Sequence, residues 1–416
     1  MVTFIKKTVA LALLVLVGAA MTACSNEEQL NDSVSICNTV THRITAEQAS
    51  QNALEFVNNI KGTSRSNTNS LEVEEVKAVG VEGSRSGNDT ISVDSLFYVV
   101  NFKDNNGYVI AASDDRETPI YAYIEKGKYL EQDTLNKGYD AFVSALMESK
   151  INNKFDDYRY IDEERERIIY HRDEKPDTFE IMKPLLKTKW DQSYYNLYCP
   201  GKYTGCVPTA FAQIFSYLKS LCYIELEDNG ILYSTKIDWD KIEYECSRNW
   251  GFTYSDDLRH QISVLMRYLG GIFKAEYKSD ATSVNPKNAV SVLSDLNYNI
   301  SGLTDYDAVN VMNDLKKGNR IVFMSGFGRY YHVGFVFRKY VDGHGWVVDG
   351  YIFSRKNNNE SLYMHCNWGW GGSCDGYFLS DVLNAEENPY YDDYGNPISR
   401  SSKNYRYKLK TATVCK

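Results

Sequence analysis

The sequence predicts an α+β protein with two successive parts, and three patterns support this. Helical periodicity over Ala49–Ile60 is followed by a strand pattern at Leu96–Phe102. A second amphipathic helix begins near Cys206, and strand patterns then dominate from about Arg320 to Lys410. We therefore expect a separate α+β domain first, followed by a domain with a helical half and an antiparallel β half.

The first part opens with a helix-capping pattern. Thr45 is followed three residues later by Gln48, the spacing of a capping box, directly before the helical run Ala49–Ile60. The other elements expected in this part are the strand Gly107–Ala112 and the helix Tyr139–Ser149. Together they predict a small domain that ends near residue 160.

The chain start has the pattern of an export signal. A basic Lys6-Lys7 pair precedes the apolar stretch Val9–Val17, which is too short for a permanent membrane span. The signal is expected to cover residues 1–23, and Met21-Thr-Ala-Cys24 resembles a lipobox. We expect acylation of Cys24 and a membrane tether over residues 24–40. An ordinary signal cleaved near Ala23 is the alternative.

A charged stretch separates the two parts. Asp162–Arg167 and His171–Pro176 are rich in charged side chains and lack apolar periodicity. Residues 161–180 therefore read as a solvated linker, and its exposed basic residues also suit an activating cleavage.

Cys206 stands at the start of the helix predicted in the second part of the chain, whose apolar residues recur at Phe211, Ile214 and Leu218. Pro208 suits the first turn, where its missing N–H costs nothing. A lone cysteine there is often a buried small hydrophobe. However, the positive end of the helix dipole also favours a thiolate, which predicts a nucleophile if a suitable histidine follows.

Elimination leaves two histidines as partners. The chain has six, and a thiol hydrolase of the papain type needs its histidine and then its asparagine roughly 130–150 residues after the cysteine. His332 and His344 both fit, and spacing alone does not separate them. The flanking glycines of His344 favour it, whereas His365 reads as a strand residue beside Asn367.

Five segments, taken together and in their order along the chain, resemble the C10, or streptopain-like, family of papain-like cysteine peptidases. The resemblance covers nearly the whole chain after the signal. The segments that carry it are Gly107–Arg116, Trp190–Asn196, Gly205–Ile214, Gly343–Gly350 and Asn367–Gly372. No one of these motifs decides the matter, but their order is highly specific.

The resemblance implies a role for each of five residues. Cys206 would be the nucleophile and His344 the general base and acid. Gln192 would help to form the oxyanion hole, where a donor is typically worth about 3–4 kcal/mol. Asn367 would orient the imidazole, and Trp368 would shield that hydrogen bond from water.

The resemblance also implies a domain plan. Residues 41–160 would form an inhibitory propeptide that blocks the cleft until it is removed, and residues 181–416 would form a papain-like peptidase domain. The active site would lie between its helical and β halves. Its partners would be protein or peptide substrates, its own propeptide and, through Cys24, a membrane.

The chain departs from the family pattern in three places. Pro208 stands where the family usually has a small residue, and Gly345 stands where it usually has alanine. A polar insert, Ser354–Ser361, is expected to lengthen the turn between the histidine and asparagine strands. None of these changes removes a predicted catalytic group.

Nine cysteines are present, of which Cys24 is assigned to lipid and Cys206 to catalysis. The seven others cannot all pair with one another, so unpaired small hydrophobes are favoured over a disulfide framework. A zinc site from His365, Cys366 and Cys374 fits no standard spacing. We expect no metal or cofactor, and a net charge of −9 argues against nucleic-acid binding.

The sequence thus predicts an exported cysteine endopeptidase made as a zymogen. It would be an outer-membrane or cell-surface lipoprotein from which the mature peptidase can be released. The alternative function is another thiol acyl transfer, by an amidase or transpeptidase on the same scaffold. A non-enzymatic adhesin or inhibitor is disfavoured because every predicted catalytic residue is present.

Overall fold

A computed structural model describes residues 42–62, 71–82, 92–129, 137–156, 177–228, 230–333, 337–357, 359–383, 390–391, 397–398 and 407–416. The predicted signal, Cys24 and the tether lie outside these residues, as does most of the linker. Within the described ranges, no helix is both long and apolar enough to cross a membrane.

The described chain forms helices and strands in both of the predicted parts. The helices are α1 (Ala46–Lys61), α2 (Lys137–Asp156), α3 (Cys206–Leu218), α4 (Trp239–Arg248), α5 (Asp256–Ile272), α6 (Pro286–Asp295), α7 (Ala308–Lys316) and α8 (Ser380–Leu383). The first nine strands are β1 (Val73–Glu82), β2 (Ser92–Phe102), β3 (Tyr108–Ala112), β4 (Ile120–Ile124), β5 (Thr178–Met182), β6 (Tyr223–Asp228), β7 (Ile231–Lys236), β8 (Glu276–Tyr277) and β9 (Thr282–Ser283). The later strands are β10 (Thr304–Asp305), β11 (Arg320–Val333), β12 (Phe337–Lys356), β13 (Asn359–Asn367), β14 (Gly376–Leu379), β15 (Tyr390–Tyr391), β16 (Pro397–Ile398) and β17 (Tyr407–Cys415).

One antiparallel sheet runs through both parts of the chain. Its order is β1-β2-β3-β4-β14-β13-β12-β11-β17-β10, and β5 also pairs with β12. The junction is β4 with β14, where Ile124, Tyr123 and Ala122 stand opposite Gly376, Tyr377 and Phe378. The N-terminal domain, residues 42–156, is thus joined to the C-terminal domain, residues 177–416, by a strand ladder.

The two faces of this sheet belong to different cores. On β11, Ile321 and Phe323 pack with the apolar side of α3, while Val322 and Met324 face the core that the N-terminal domain shares. This alternation follows from the two-residue period of a strand. The β half therefore separates the helical half from the N-terminal domain.

Most of the predicted helices are present because their local signals are strong. Thr45 and Gln48 form the predicted capping box at α1, and Gly62 ends that helix in the left-handed region. The cap of α6 also follows from a local pattern, since the Asn285 side chain accepts from Lys287 N–H and Pro286 opens the helix.

Two boundaries differ from the sequence expectation. The insert Ser354–Ser361 is not a loop, because Ser354 pairs with Ser361 and Lys356 with Asn359, which extends the β12–β13 hairpin. The expected linker was too long at its end, because residues 178–180 already belong to β5, whose Thr178 pairs with Arg355 of β12.

Gly376 is required by the junction between the two domains. A Cβ added there would overlap the Tyr123 carbonyl oxygen and lie 2.9 Å from Ile124 Cα. We predict that Gly376→Ala destabilises the full chain in a Cys206→Ala background. The melting temperature should fall by several degrees, since about 1 kcal/mol shifts it by roughly 2–4 °C.

Gly302→Ala is the matched control, because a Cβ added to Gly302 meets nothing within 4 Å. Equal melting temperatures for the two variants would contradict the strand junction.

Candidate active site

Cys206 is the first residue of α3, and the turn before it is built for that position. Gly205 has φ 98°, a left-handed conformation that favours glycine. The Thr209 hydroxyl donates to the Gly205 carbonyl at 2.8 Å and lies 2.8 Å from the Thr204 hydroxyl. The first N–H groups of α3 have no partner within the helix, so Cys206 lies where a helix stabilises negative charge.

His344 lies on β12, which packs against α3. A Cβ added to its neighbour Gly345 would lie 3.1 Å from both the Val207 side chain and the Phe323 ring. The residues that follow Cys206 and His344 are therefore neighbours. The same contacts leave little room for an alanine side chain at 345.

Aromatic rings surround the buried imidazole of His344. Its ring centroid lies 5.9 Å from that of Trp346, 6.3 Å from that of Trp368 and 6.5 Å from that of Trp370. These rings leave the imidazole little access to water. Trp368 was expected beside His344; Trp346 and Trp370 were missed, although Trp346 follows at the two-residue spacing of a shared strand face.

A backbone carbonyl group contacts the His344 imidazole. His344 Nε2 lies 2.9 Å from the Trp368 oxygen. The Asn367 amide, expected to orient this ring, instead bonds to three other described residues: the Thr188 carbonyl, the Gln213 side chain and the Gly369 N–H. The contact predicted for the Asn367 side chain is therefore made by the main chain of the next residue, Trp368.

The other histidine candidate lies at the far end of the β11–β12 hairpin. Gly326 pairs with His344, whereas His332 pairs with Arg338 six residues further along β11. At about 3.3 Å per residue, the backbone of His332 is roughly 20 Å from that pairing. The fold thus separates the two candidates that spacing left open.

Gln192 lies in the segment that runs beside the asparagine strand. Its carbonyl accepts from Thr204 N–H at 2.8 Å, and its neighbour Asp191 forms a bridge with Trp370. Gln192 is buried and is held within two residues of the Gly205–Cys206 turn. The five predicted residues therefore lie on four adjoining segments, around Gln192, Cys206, His344 and Trp368.

Helix α2 of the N-terminal domain covers this group. A Cβ added to Gly138 would overlap the Trp368 ring and lie 3.0 Å from His344 Cδ2. Next to it, Tyr139 packs edge-on against Phe378. The N-terminal domain is thus in direct contact with the predicted catalytic histidine.

A partly buried charge cluster lies at the same domain junction. Glu125, directly after β4, places one carboxylate oxygen 3.2 Å from Lys189 Nζ and the other 3.8 Å from His365 Nε2. His365 Nδ1 is 2.6 Å from Asp349 Oδ1. Burial lowers the pKa of His365, but the Asp349 carboxylate and then Glu125 outweigh it, and the net pKa is raised.

The zinc alternative has no support in the described part of the chain. No group of three or more histidine, cysteine or acidic residues there has a metal-binding arrangement. Cys37 lies outside the described residues, and none of the seven described cysteines forms a disulfide: Cys199, Cys206, Cys222, Cys246, Cys366, Cys374 and Cys415. Burial raises the pKa of Cys246 to about 12 and that of Cys366 well above its usual range, so both are inert thiols.

Family models match both domains. Residues 190–378 match the peptidase C10 family, and residues 41–149 match the Spi protease inhibitor family. The first match spans all five predicted site residues. The second includes Gly138, the residue of α2 that lies against Trp368.

Individual proteins are also similar to this chain. Streptopain of Streptococcus pyogenes serotype M28 is 26% identical over 335 residues, which are 70% of this chain and 75% of that protein. The thiol protease/hemagglutinin PrtT of Porphyromonas gingivalis is 26% identical over 381 residues, 82% of this chain and 39% of that protein. A fragment of Prevotella intermedia prointerpain A superposes with a TM-score of 0.49 and 18% identity, over 81% of this chain and 98% of that one.

We predict that Glu125→Gln weakens the hold of the N-terminal domain on the rest of the chain. It removes the carboxylate that faces Lys189 and His365, and a hydrogen bond to a charged group is worth roughly 1.5–3 kcal/mol. The effect should be larger at pH 6 than at pH 8, because protonated His365 adds a second cation below its raised pKa. Thermal unfolding in a Cys206→Ala background measures it.

Glu74→Gln is the control, since Glu74 pairs with Lys128 inside the N-terminal domain. Equal losses for the two variants would argue against a junction role for Glu125.

Asp375 generates a second pH-dependent prediction. Its Oδ1 accepts from Trp368 N–H, its Oδ2 lacks a partner among the described residues, and burial raises its pKa to about 6. The pKa of Asp375 is therefore higher in the folded than in the unfolded chain. As a result, the free energy of unfolding falls as pH rises from the ordinary carboxyl pKa toward about 6. Asp375→Asn keeps the acceptor and removes this cost.

The variant should therefore melt above wild type at pH 8, in a Cys206→Ala background, and the gap should close near pH 4. A gap that is constant with pH would contradict the assignment.

Proposed function

The chain belongs to the peptidase C10 family of cysteine peptidases, and from this premise we propose that it is an endopeptidase in which Cys206 and His344 perform the chemistry. The observation that carries the proposal is the placement of His344. It is held by the Trp368 carbonyl, on a strand packed against the helix that Cys206 opens. The N-terminal domain makes this protein a zymogen.

The reaction begins with the thiolate of Cys206. The N-terminus of α3 and the protonated imidazole stabilise it, and it attacks the carbonyl carbon of the scissile peptide bond. His344 then gives its proton to the leaving amine, which departs as the new N-terminus. A water molecule, deprotonated by His344, hydrolyses the thioester and releases the acid product.

The oxyanion of each tetrahedral intermediate needs donors near the thiol. The Cys206 backbone N–H and the Gln192 side-chain amide supply them, each typically worth about 3–4 kcal/mol of barrier lowering. The anchoring of Gln192 by Thr204 supports this role, since it fixes the segment next to the Cys206 turn. The three indoles around His344 help to exclude water from the imidazole.

Latency rests on α2 and on the strand ladder. The contact of Gly138 with Trp368 and His344 supports direct control of the histidine by the propeptide, residues 41–160. Activation requires a cut between the domains, and because β5 is already part of the peptidase sheet, the cut belongs before Thr178. The charged residues of the linker supply the site.

The export signal and lipobox patterns at residues 1–24 support a proposed location of the protein. We propose export, acylation of Cys24 and tethering at the outer membrane or cell surface, so that the same cut releases the mature peptidase. Metabolic labelling with a radioactive fatty acid, compared between wild type and Cys24→Ala, tests the anchor.

The chemistry is tested with three proteins: the chain from Ser25 to Lys416 as wild type, as Cys206→Ala and as Cys222→Ala. We expect wild type to process itself, cleave casein and bind a thiol-directed epoxide. Cys206→Ala should stay full length and inert, with activity reduced by at least about 10³-fold, because removing the nucleophile leaves only residual catalysis.

Cys222→Ala is the matched control, because Cys222 is an exposed free thiol and should be dispensable. Cleavage by Cys206→Ala would overturn the proposal. Products that are ligated peptides or small amines would instead indicate a transpeptidase or an amidase.

A further inference from the structure

Gln213 is a buried polar residue in an otherwise apolar helix interior. It lies seven residues after Cys206 on α3, between Ala212 and Ile214, and its side chain is fully buried. Seven residues are about two helical turns, so Gln213 and Cys206 lie on the same side of the helix. A buried amide is costly unless it is hydrogen-bonded, so its partners indicate its purpose.

Gln213 forms a reciprocal amide pair with Asn367. Its Nε2 donates to Asn367 Oδ1 at 3.0 Å, and Asn367 Nδ2 donates back to Gln213 Oε1 at 3.3 Å. Gln213 Oε1 also accepts the Trp190 N–H at 3.0 Å. Asn367 completes the set by donating to the Thr188 carbonyl and accepting from Gly369 N–H. Such a satisfied buried network holds its members in one arrangement.

This amide pair, together with Trp190, joins three of the four segments that carry the proposed chemistry. Gln213 belongs to the helix of Cys206, and Trp190 lies two residues before Gln192. Asn367 directly precedes Trp368, whose carbonyl meets His344. A shift of the pair therefore moves the oxyanion donor and the acceptor of the imidazole relative to the thiol.

We propose that Gln213 is a positioning residue for the peptidase reaction. Through Asn367 it fixes the Trp368 carbonyl against the imidazole, and through Trp190 it fixes the segment of Gln192. The proposal depends on the proposed roles of Cys206 and His344. All of these residues lie within 188–369, so the network remains in the mature enzyme.

The test compares the activated wild-type enzyme with Gln213→Glu and Gln261→Glu. Glutamate keeps the shape and the acceptor for Trp190, but it places an acceptor against Asn367 Oδ1. Gln261 is a matched buried amide on α5, which accepts from Asp238 N–H at 2.9 Å and donates to Asp257 at 3.1 Å. Active sites are counted with a thiol-directed epoxide, so unfolded protein does not enter the rates.

For Gln213→Glu we expect kcat per titrated site to fall at least about tenfold, the effect of about 1.4 kcal/mol. We expect KM to stay within about twofold, since the pair touches no substrate. The alkaline limb of the pH profile of kcat/KM should move to lower pH, because a loosened carbonyl stabilises the imidazolium less. Gln261→Glu should change neither quantity.

A Gln213→Glu enzyme with wild-type kcat and pH profile per titrated site would overturn the proposal, even if its melting temperature fell. If this variant gives no folded protein, Gln213→Asn is measured in the same way and decides, since it keeps both amide groups on a shorter side chain. An inactive wild type, or an active Cys206→Ala, would instead refute the proposed function.

Discussion

Antiparallel pairing between β4 and β14 is the constraint on which the rest of the structure depends. It fuses the sheet of the inhibitory domain with that of the peptidase and brings Glu125 to Lys189 and His365. The same ladder sets the position of α2 over Trp368 and His344. In the proposed zymogen, latency would therefore rest on main-chain hydrogen bonds, with charged and apolar side chains added at the junction.

The candidate active site relies on main-chain groups as much as on side chains. The Trp368 carbonyl oxygen lies 2.9 Å from His344 Nε2, and Cys206 stands at the end of α3 where the first N–H groups lack a partner within the helix. Main-chain groups have no freedom to rotate as side chains do, so their placement is decided by the segments that carry them. Gln213 and Asn367 are the side chains that bind those segments together.

Local patterns in the sequence predicted much of the fold and the start of a helix at Cys206. The capping box at Thr45, the start of α3 at Cys206 and the Asn285 cap of α6 all depend on neighbours within one or two turns. The contact of the imidazole with the Trp368 carbonyl was not predictable, because every residue carries a carbonyl. The Gln213–Asn367 pair joins residues 154 positions apart, and no local period encodes it.

The β4–β14 junction also determines the surface of the activated enzyme. While the propeptide is bound, β14 is an interior strand, and its residues Tyr377 and Phe378 are buried. Removal of the propeptide, as proposed above, would turn β14 into an edge strand with unpaired N–H and C=O groups and would uncover apolar surface. Such edges are templates for association with other chains. The proposed activation would therefore give an enzyme more prone to association than its precursor.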